Sequence, residues 1–112
     1  ALNALGYTLA DRTDRYQEAY KLIKRAMDIS PNDYYILDSM GWVLYREGKL
    51  DKAVQYLRRA LKLRQDPEIA AHLGEVLWVK GDKEEARKVW STALQETPKD
   101  QKLLDVIKRF KP

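Results

Sequence analysis

Cysteine is absent from the 112 residues, and histidine occurs once, at His72. Without thiols there can be no disulfide framework, no cysteine-based zinc site and no thiol nucleophile, and a single His rules out a two-histidine metal centre. No metal and no cofactor is therefore expected. No apolar run approaches the roughly 18 residues of a membrane span, and Ala1-Leu2-Asn3 lacks the charged start and long apolar stretch of a signal peptide. Direct membrane insertion by this chain is not expected. A Gly-rich phosphate loop is also missing, and Ser30, Ser39 and Ser91 have no strand-turn-helix context that would make one of them a nucleophile.

What remains is 45% apolar and 34% charged, the composition of one small globular domain. The chain begins without Met and directly inside helix-forming sequence, so it reads as a piece of a longer protein whose address signals lie elsewhere. Its charge is +4, with 21 Lys and Arg against 17 Asp and Glu. The bases are not gathered on one face: Glu47, Asp51 and Asp66 bracket Arg58, Arg59, Lys62 and Arg64, and Lys83 and Lys88 alternate with Glu84 and Glu85. Nucleic acid, which needs clustered bases to release counterions, is not an expected partner.

An internal repeat organises the sequence. Aligning Leu5-Gly6, Met40-Gly41 and Leu73-Gly74 brings Ala19, Ala53 and Ala86 into register, then Ala26, Ala60 and Ala93, at spacings of 33 to 35 residues. Apolar residues recur at helical intervals, as in Leu37, Met40, Trp42, Val43 and Leu44 followed by Leu50, Ala53, Val54, Leu57, Ala60 and Leu61. Gly48 and Gly81 suit left-handed helix stops, Pro67 suits a first helical turn, and Asp33, Asp51, Asp66, Asp82 and Asp100 fall near helix starts. In the first unit the segment Asp11 to Asp14 replaces the turn glycine with one extra residue. The pattern predicts helices near 2–10, 15–29, 33–46, 50–63, 67–79, 83–96 and 100–110. Gly6, Gly41 and Gly74 fall in mid-helix, where Gly costs about 1 kcal/mol against Ala unless another backbone must come close. The second helix of each unit, through Ala19, Ala53 and Ala86, is that neighbour, with Leu57 and Trp90 packing over the crossing.

These residues resemble the tetratricopeptide repeat, a helix-turn-helix unit with a period near 34. The second unit carries the pattern at Leu37, Met40-Gly41, Leu44-Tyr45, Gly48, Ala53, Leu57 and Ala60, and the third at Leu73-Gly74, Leu77, Gly81, Ala86, Trp90, Ala93 and Pro98. The resemblance implies an all-α, right-handed α-α superhelix of three units, 1–32, 33–66 and 67–99, closed by a capping helix in 100–112. In the cap, Leu103, Leu104, Ile107 and Phe110 are expected inward and Lys102, Lys108 and Arg109 outward. Further repeats are expected upstream. The strings Asn3 to Leu9 and Asp38 to Arg46 also resemble the last repeats of bacterial envelope lipoproteins of this family, adaptors that present substrates to carboxyl-terminal processing proteases. That resemblance implies a periplasmic location tethered to the outer membrane, with a cytoplasmic one as the alternative.

By the same resemblance, the concave face of the first helices holds a protein or peptide partner. The expected partner-binding residues are Tyr7, Tyr35, Asp38, Trp42, Tyr45, Arg46, His72, Glu75 and Trp78, with Trp42, Trp78 and Tyr35 as aromatic anchors. The Lys and Asn residues by which chaperone-binding members clamp a terminal carboxylate have no counterpart at Asn3, Tyr7, Asp38, Ser39, His72 and Glu75. A mixed-charge or amphipathic segment suits this face better. His72 has Glu68 one helical turn before it and Glu75 three residues after it, but no nucleophile accompanies them, so no enzyme and no catalytic residue is expected. The alternative function is self-association into a homodimer through the N-terminal helix, by way of Leu2, Leu5 and Leu9.

Overall fold

Seven α-helices and no strand make up residues 1–110, the part of the chain that the computed structural model describes. Lys111 and Pro112, the end of the expected 100–112 unit, lie outside the described residues. The helices are α1 (Leu2–Arg12), α2 (Tyr16–Ile29), α3 (Tyr34–Arg46), α4 (Leu50–Leu63), α5 (Pro67–Lys80), α6 (Lys83–Glu96) and α7 (Gln101–Phe110).

Local chemistry sets these boundaries. The Asp33 carboxylate accepts from the Tyr35 and Ile36 amides at 2.9 and 3.3 Å, Asp66 does the same for Glu68 and Ile69, and Asp100 accepts from Leu103. Each satisfies amides that have no partner inside their own helix. Asp82 caps without such a bond, and Asp51 sits one residue inside α4, where it opposes the helix dipole. At the other ends Gly48 and Gly81 take φ of +82° and +104°, and the next amides, of Lys49 and Asp82, close back onto the Leu44 and Leu77 carbonyls. The first unit has no such glycine. There α1 runs two residues further than expected, and Thr13 turns the chain by donating from Oγ1 to the Leu9 carbonyl and accepting from the Arg15 amide.

Consecutive helices pack as pairs, α1 with α2, α3 with α4 and α5 with α6, and the pairs stack through α2–α3, α4–α5, α1–α3 and α3–α5. The mid-helix glycines make the pairing close. A Cβ on Gly41 would stand 2.6 Å from Leu57 Cγ and 3.2 Å from the Ala53 carbonyl, one on Gly6 would stand 2.7 Å from Ile23 Cγ1, and one on Gly74 would collide with the Trp90 indole. Leu57, Ile23 and Trp90 are themselves buried, as are Ala19, Ala53 and Ala86.

The last helix docks mainly on α5. Its buried stripe is Leu103 and Val106 with Ile107 and Phe110 packed against the core, the i, i+3, i+4, i+7 spacing of one helical face. Leu104, expected inward, is 38% exposed, because a step of one residue past Leu103 turns it about 100° off that stripe.

Gly41→Ala tests the crossing. At an open helical site this change stabilises by about 1 kcal/mol, whereas overpacking costs about 1–3 kcal/mol. The expected outcome in urea unfolding is a net loss of about 1–2 kcal/mol, since Leu57 and the Ala53 carbonyl leave no room for the methyl group.

Candidate functional site

The first helices of the pairs share one side of the stack, and α7 folds along it to form a wall. Between them lies a cleft of about 530 Å³. Tyr7 and Asp11 of α1, Trp42 and Arg46 of α3, His72 and Glu75 of α5, and Lys102, Asp105, Val106 and Arg109 of α7 line it.

A connected polar network ties these helices together. His72 Nδ1 lies 2.8 Å from Asp38 Oδ1, and both side chains are almost wholly buried. The Tyr7 hydroxyl sits 3.3 Å from His72 Nε2. With Nδ1–H donating to Asp38, Nε2 is left to accept from Tyr7, which satisfies both ring nitrogens. The Trp42 ring lies 4.2 Å from that of His72, tilted 31° to it, and donates its indole N–H to Asp11 at 3.1 Å. Tyr45 donates to Glu75 Oε2 at 2.9 Å, and the Arg109 guanidinium of α7 pairs with the other carboxylate oxygen. Arg46 donates from Nε to the Ala10 carbonyl and lies over the Tyr16 ring.

Five of the nine expected partner-binding residues, Tyr7, Trp42, Arg46, His72 and Glu75, come together in the cleft. Asp38 and Tyr45 stand behind it, committed to His72 and Glu75. Tyr35 is 52% exposed but is not in the lining, its ring being 4.5 Å from that of Tyr34. Trp78 is elsewhere too, packed against Trp90 and Phe110 with Lys83 and Arg87 over its face. It acts as a joint between α5, α6 and α7. Trp42 is only 7% exposed, so it forms the floor of the cleft rather than a projecting anchor.

Lys102 and Arg109 are exposed, as expected, and each also pairs with a carboxylate of α5, Glu68 and Glu75. The reason is electrostatic: α5 presents two carboxylates toward the docked helix. Asp11, Asp105 and Val106 were not among the expected residues. The signal for Asp105 and Val106 was the strong amphipathic pattern of the last helix, which placed a helix on α5 but not its direction across the cleft.

A second cleft, of about 560 Å³, runs between α2 and α4, where Lys21, Lys49, Lys52 and Arg59 surround Glu47.

Comparison with known proteins places this architecture. Models of the tetratricopeptide repeat match residues 1–66 and 39–101. The chain belongs to the tetratricopeptide repeat family. A tetratricopeptide repeat-containing protein of Pseudomonas aeruginosa is 64% identical over 75 residues, which is 67% of this chain and 13% of that protein. This chain thus spans about an eighth of that relative's length. A tetratricopeptide repeat protein of Thermus thermophilus is 31% identical, with a TM-score of 0.76 over 97% of this chain and 56% of its own. The second tetratricopeptide domain of human RPAP3, solved in complex with an HSP70 peptide, superposes with a TM-score of 0.80 at 15% identity, over 99% of this chain and 92% of its own. In this family's terms α1, α3 and α5 are the inner helices, and the cleft is closed on one side by the helix that follows the third repeat.

Two outcomes follow from the network. Glu75 is nine-tenths buried, so Glu75→Ala strands the Tyr45 hydroxyl and should cost about 1–3 kcal/mol in chemical unfolding. Arg109 is 62% exposed, so Arg109→Ala should cost less than about 1 kcal/mol.

The second concerns alkaline pH. Burial, and then the carboxylates of Asp11, Glu68, Asp38 and Glu75, push the Tyr7 phenol above its ordinary 10.0, and burial with Glu75 does the same for Tyr45. The folded chain keeps both phenols protonated where the unfolded chain ionises them. Their contribution to stability is therefore whole below about pH 10 and falls as pH rises beyond it. Absorbance titration should show these two tyrosines ionising only as the chain unfolds.

Proposed function

We propose that the chain is a non-enzymatic interaction module that holds an extended peptide or a partner's helix in the inner cleft. The observation that carries this is the convergence of side chains from α1, α3, α5 and α7 on a cleft of about 530 Å³, large enough for several side chains of a segment. The exposed rim alternates in sign, with Arg46, Lys102 and Arg109 against Asp11 and Asp105, over a floor of Tyr7, Trp42 and Val106. Such a rim suits an amphipathic segment of mixed charge, because a partner of one sign would meet repulsion along half of it. The human RPAP3 domain that holds a peptide shares the fold, which supports the reading.

A narrower role rests on the resemblance carried by the strings Asn3 to Leu9 and Asp38 to Arg46. In it the repeats belong to an outer-membrane lipoprotein adaptor that presents substrates to a carboxyl-terminal processing protease in the periplasm. Leu5 favours a second reading: it is 54% exposed on α1, and a homodimer through that helix would cover it.

Peptides selected on the immobilised chain from a random displayed library separate these readings. Asp105→Lys and Arg46→Ala should each weaken the selected peptides about tenfold or more, the scale of a binding hot spot, while Lys52→Glu in the α2–α4 cleft leaves them unchanged. Binding that follows Lys52 instead would overturn the assignment to the inner cleft. Trp42→Ala is a poor probe here, because it removes a buried ring at a cost of about 3–5 kcal/mol in stability. Sedimentation over a concentration series decides self-association: a dimer abolished by Leu5→Asp would establish it, and a monomer throughout would remove it.

A further inference from the structure

Behind the cleft, three side chains that can ligate a metal meet at one point. A carboxylate oxygen of Asp38, one of Glu68 and a ring nitrogen of His72 all lie within 4.8 Å of one another. Glu68 and His72 are four residues apart on α5, which puts them on one face, one turn above the other. Asp38 comes from α3, so the set spans two repeats.

Inventory had excluded cysteine and two-histidine centres but not one imidazole with two carboxylates. We propose that Asp38, Glu68 and His72 bind one divalent transition ion of the zinc class, reached from the cleft that His72 lines.

Three observations support the site. First, the Asp38 carboxylate and the imidazole are both about 3% exposed, and a buried carboxylate whose partner is one imidazole N–H is weakly compensated for its lost hydration. Second, Asp11 adds a carboxylate to those of Asp38 and Glu68 around Tyr7, while that of Glu75 is paired with Arg109. The cation that answers Glu68 is Lys102, 3.6 Å away and 46% exposed, a weak competitor for a divalent ion. Third, the outer support of a ligating His is already built. With Nδ1 turned to Asp38 as the coordinating nitrogen, Nε2 is free to donate to the Tyr7 hydroxyl, and the Trp42 ring holds the imidazole plane.

The donor set names the metal class. Magnesium and calcium favour all-oxygen shells, while an imidazole with carboxylates suits zinc and its neighbours in the transition series. Three protein donors leave a fourth position for water, and the two carboxylates balance the charge of the ion.

The test uses untagged protein, so that His72 is the sole imidazole in the sample. Bound zinc is counted after equilibrium dialysis, and the ring nitrogens are followed by ¹⁵N NMR. The expected result is one zinc per chain, with the imidazole signals shifted in step with occupancy. Removing even an outer partner of a metal ligand costs about 10- to 100-fold in affinity, so Glu68→Gln should weaken binding at least about tenfold. Glu68 is only half-buried, and this variant should keep the metal-free unfolding midpoint. His72→Gln should abolish binding. Absence of stoichiometric zinc, zinc that leaves the imidazole signals in place, or an affinity unchanged in Glu68→Gln would each overturn the proposal.

Discussion

The contact on which the rest depends is the glycine–alanine crossing inside each helix pair. With Gly41 against Leu57 and the Ala53 carbonyl, and Gly74 against Trp90, the backbones approach too closely to admit a methyl group. Closeness of this kind fixes the pair as a rigid unit, because sliding either helix by one residue would replace the glycine with a side chain. Repeating the same contact at intervals of 33 to 35 residues brings α1, α3 and α5 to one side. Everything on the inner side, from the floor of Trp42 to the reach of Arg109, inherits its spacing from those crossings.

Polar groups rather than apolar ones finish the inner side. Tyr7 bonds His72 across 65 residues of sequence, Tyr45 bonds Glu75 across 30, and Asp38 bonds His72 across 34. A buried network of this kind is stabilising only while every member is satisfied. Its value is chiefly in alignment: it defines how one repeat is placed against the next, where apolar contacts alone would tolerate small slips. The Arg109 pair with Glu75 and the Lys102 pair with Glu68 then draw α7 across α5 and close one side of the cleft.

The sequence made the fold legible because its controlling contacts are local and periodic. Gly48, Gly81, Asp33 and Asp66 act within a few residues of themselves, so helix ends could be read directly; the departure at α1 came from Thr13, whose hydroxyl does the work of the missing glycine. Apolar periodicity likewise gave the buried stripe of α7 to within one residue, at Leu104. The site was legible only in part. Position on a first helix put Tyr7, Trp42, Arg46, His72 and Glu75 in one group, and these five line one cleft, but it treated every aromatic on that stripe alike. Trp78 departs because α7 and α6 cover it, a contact made by Phe110 and Trp90 from other parts of the chain. Tyr35 departs because it lies in the first turn of α3, outside the lining of the cleft.

The same distinction bears on the single histidine. Counting residue types asks how many ligands of a kind exist, whereas a site asks which groups the fold brings within a few ångströms. Glu68 and His72 share a helical face by spacing alone, but Asp38 joins them only because the stacking of one helix pair on the next sets α3 beside α5. Burial then changes what the trio means. On a solvated face an imidazole between two carboxylates is an ordinary surface cluster, while here hydration is stripped from Asp38 and His72, and Trp42 and Tyr7 hold the ring in one orientation. Precise placement and desolvation are the conditions under which a divalent ion competes with water, and in this chain both arise from packing between repeats.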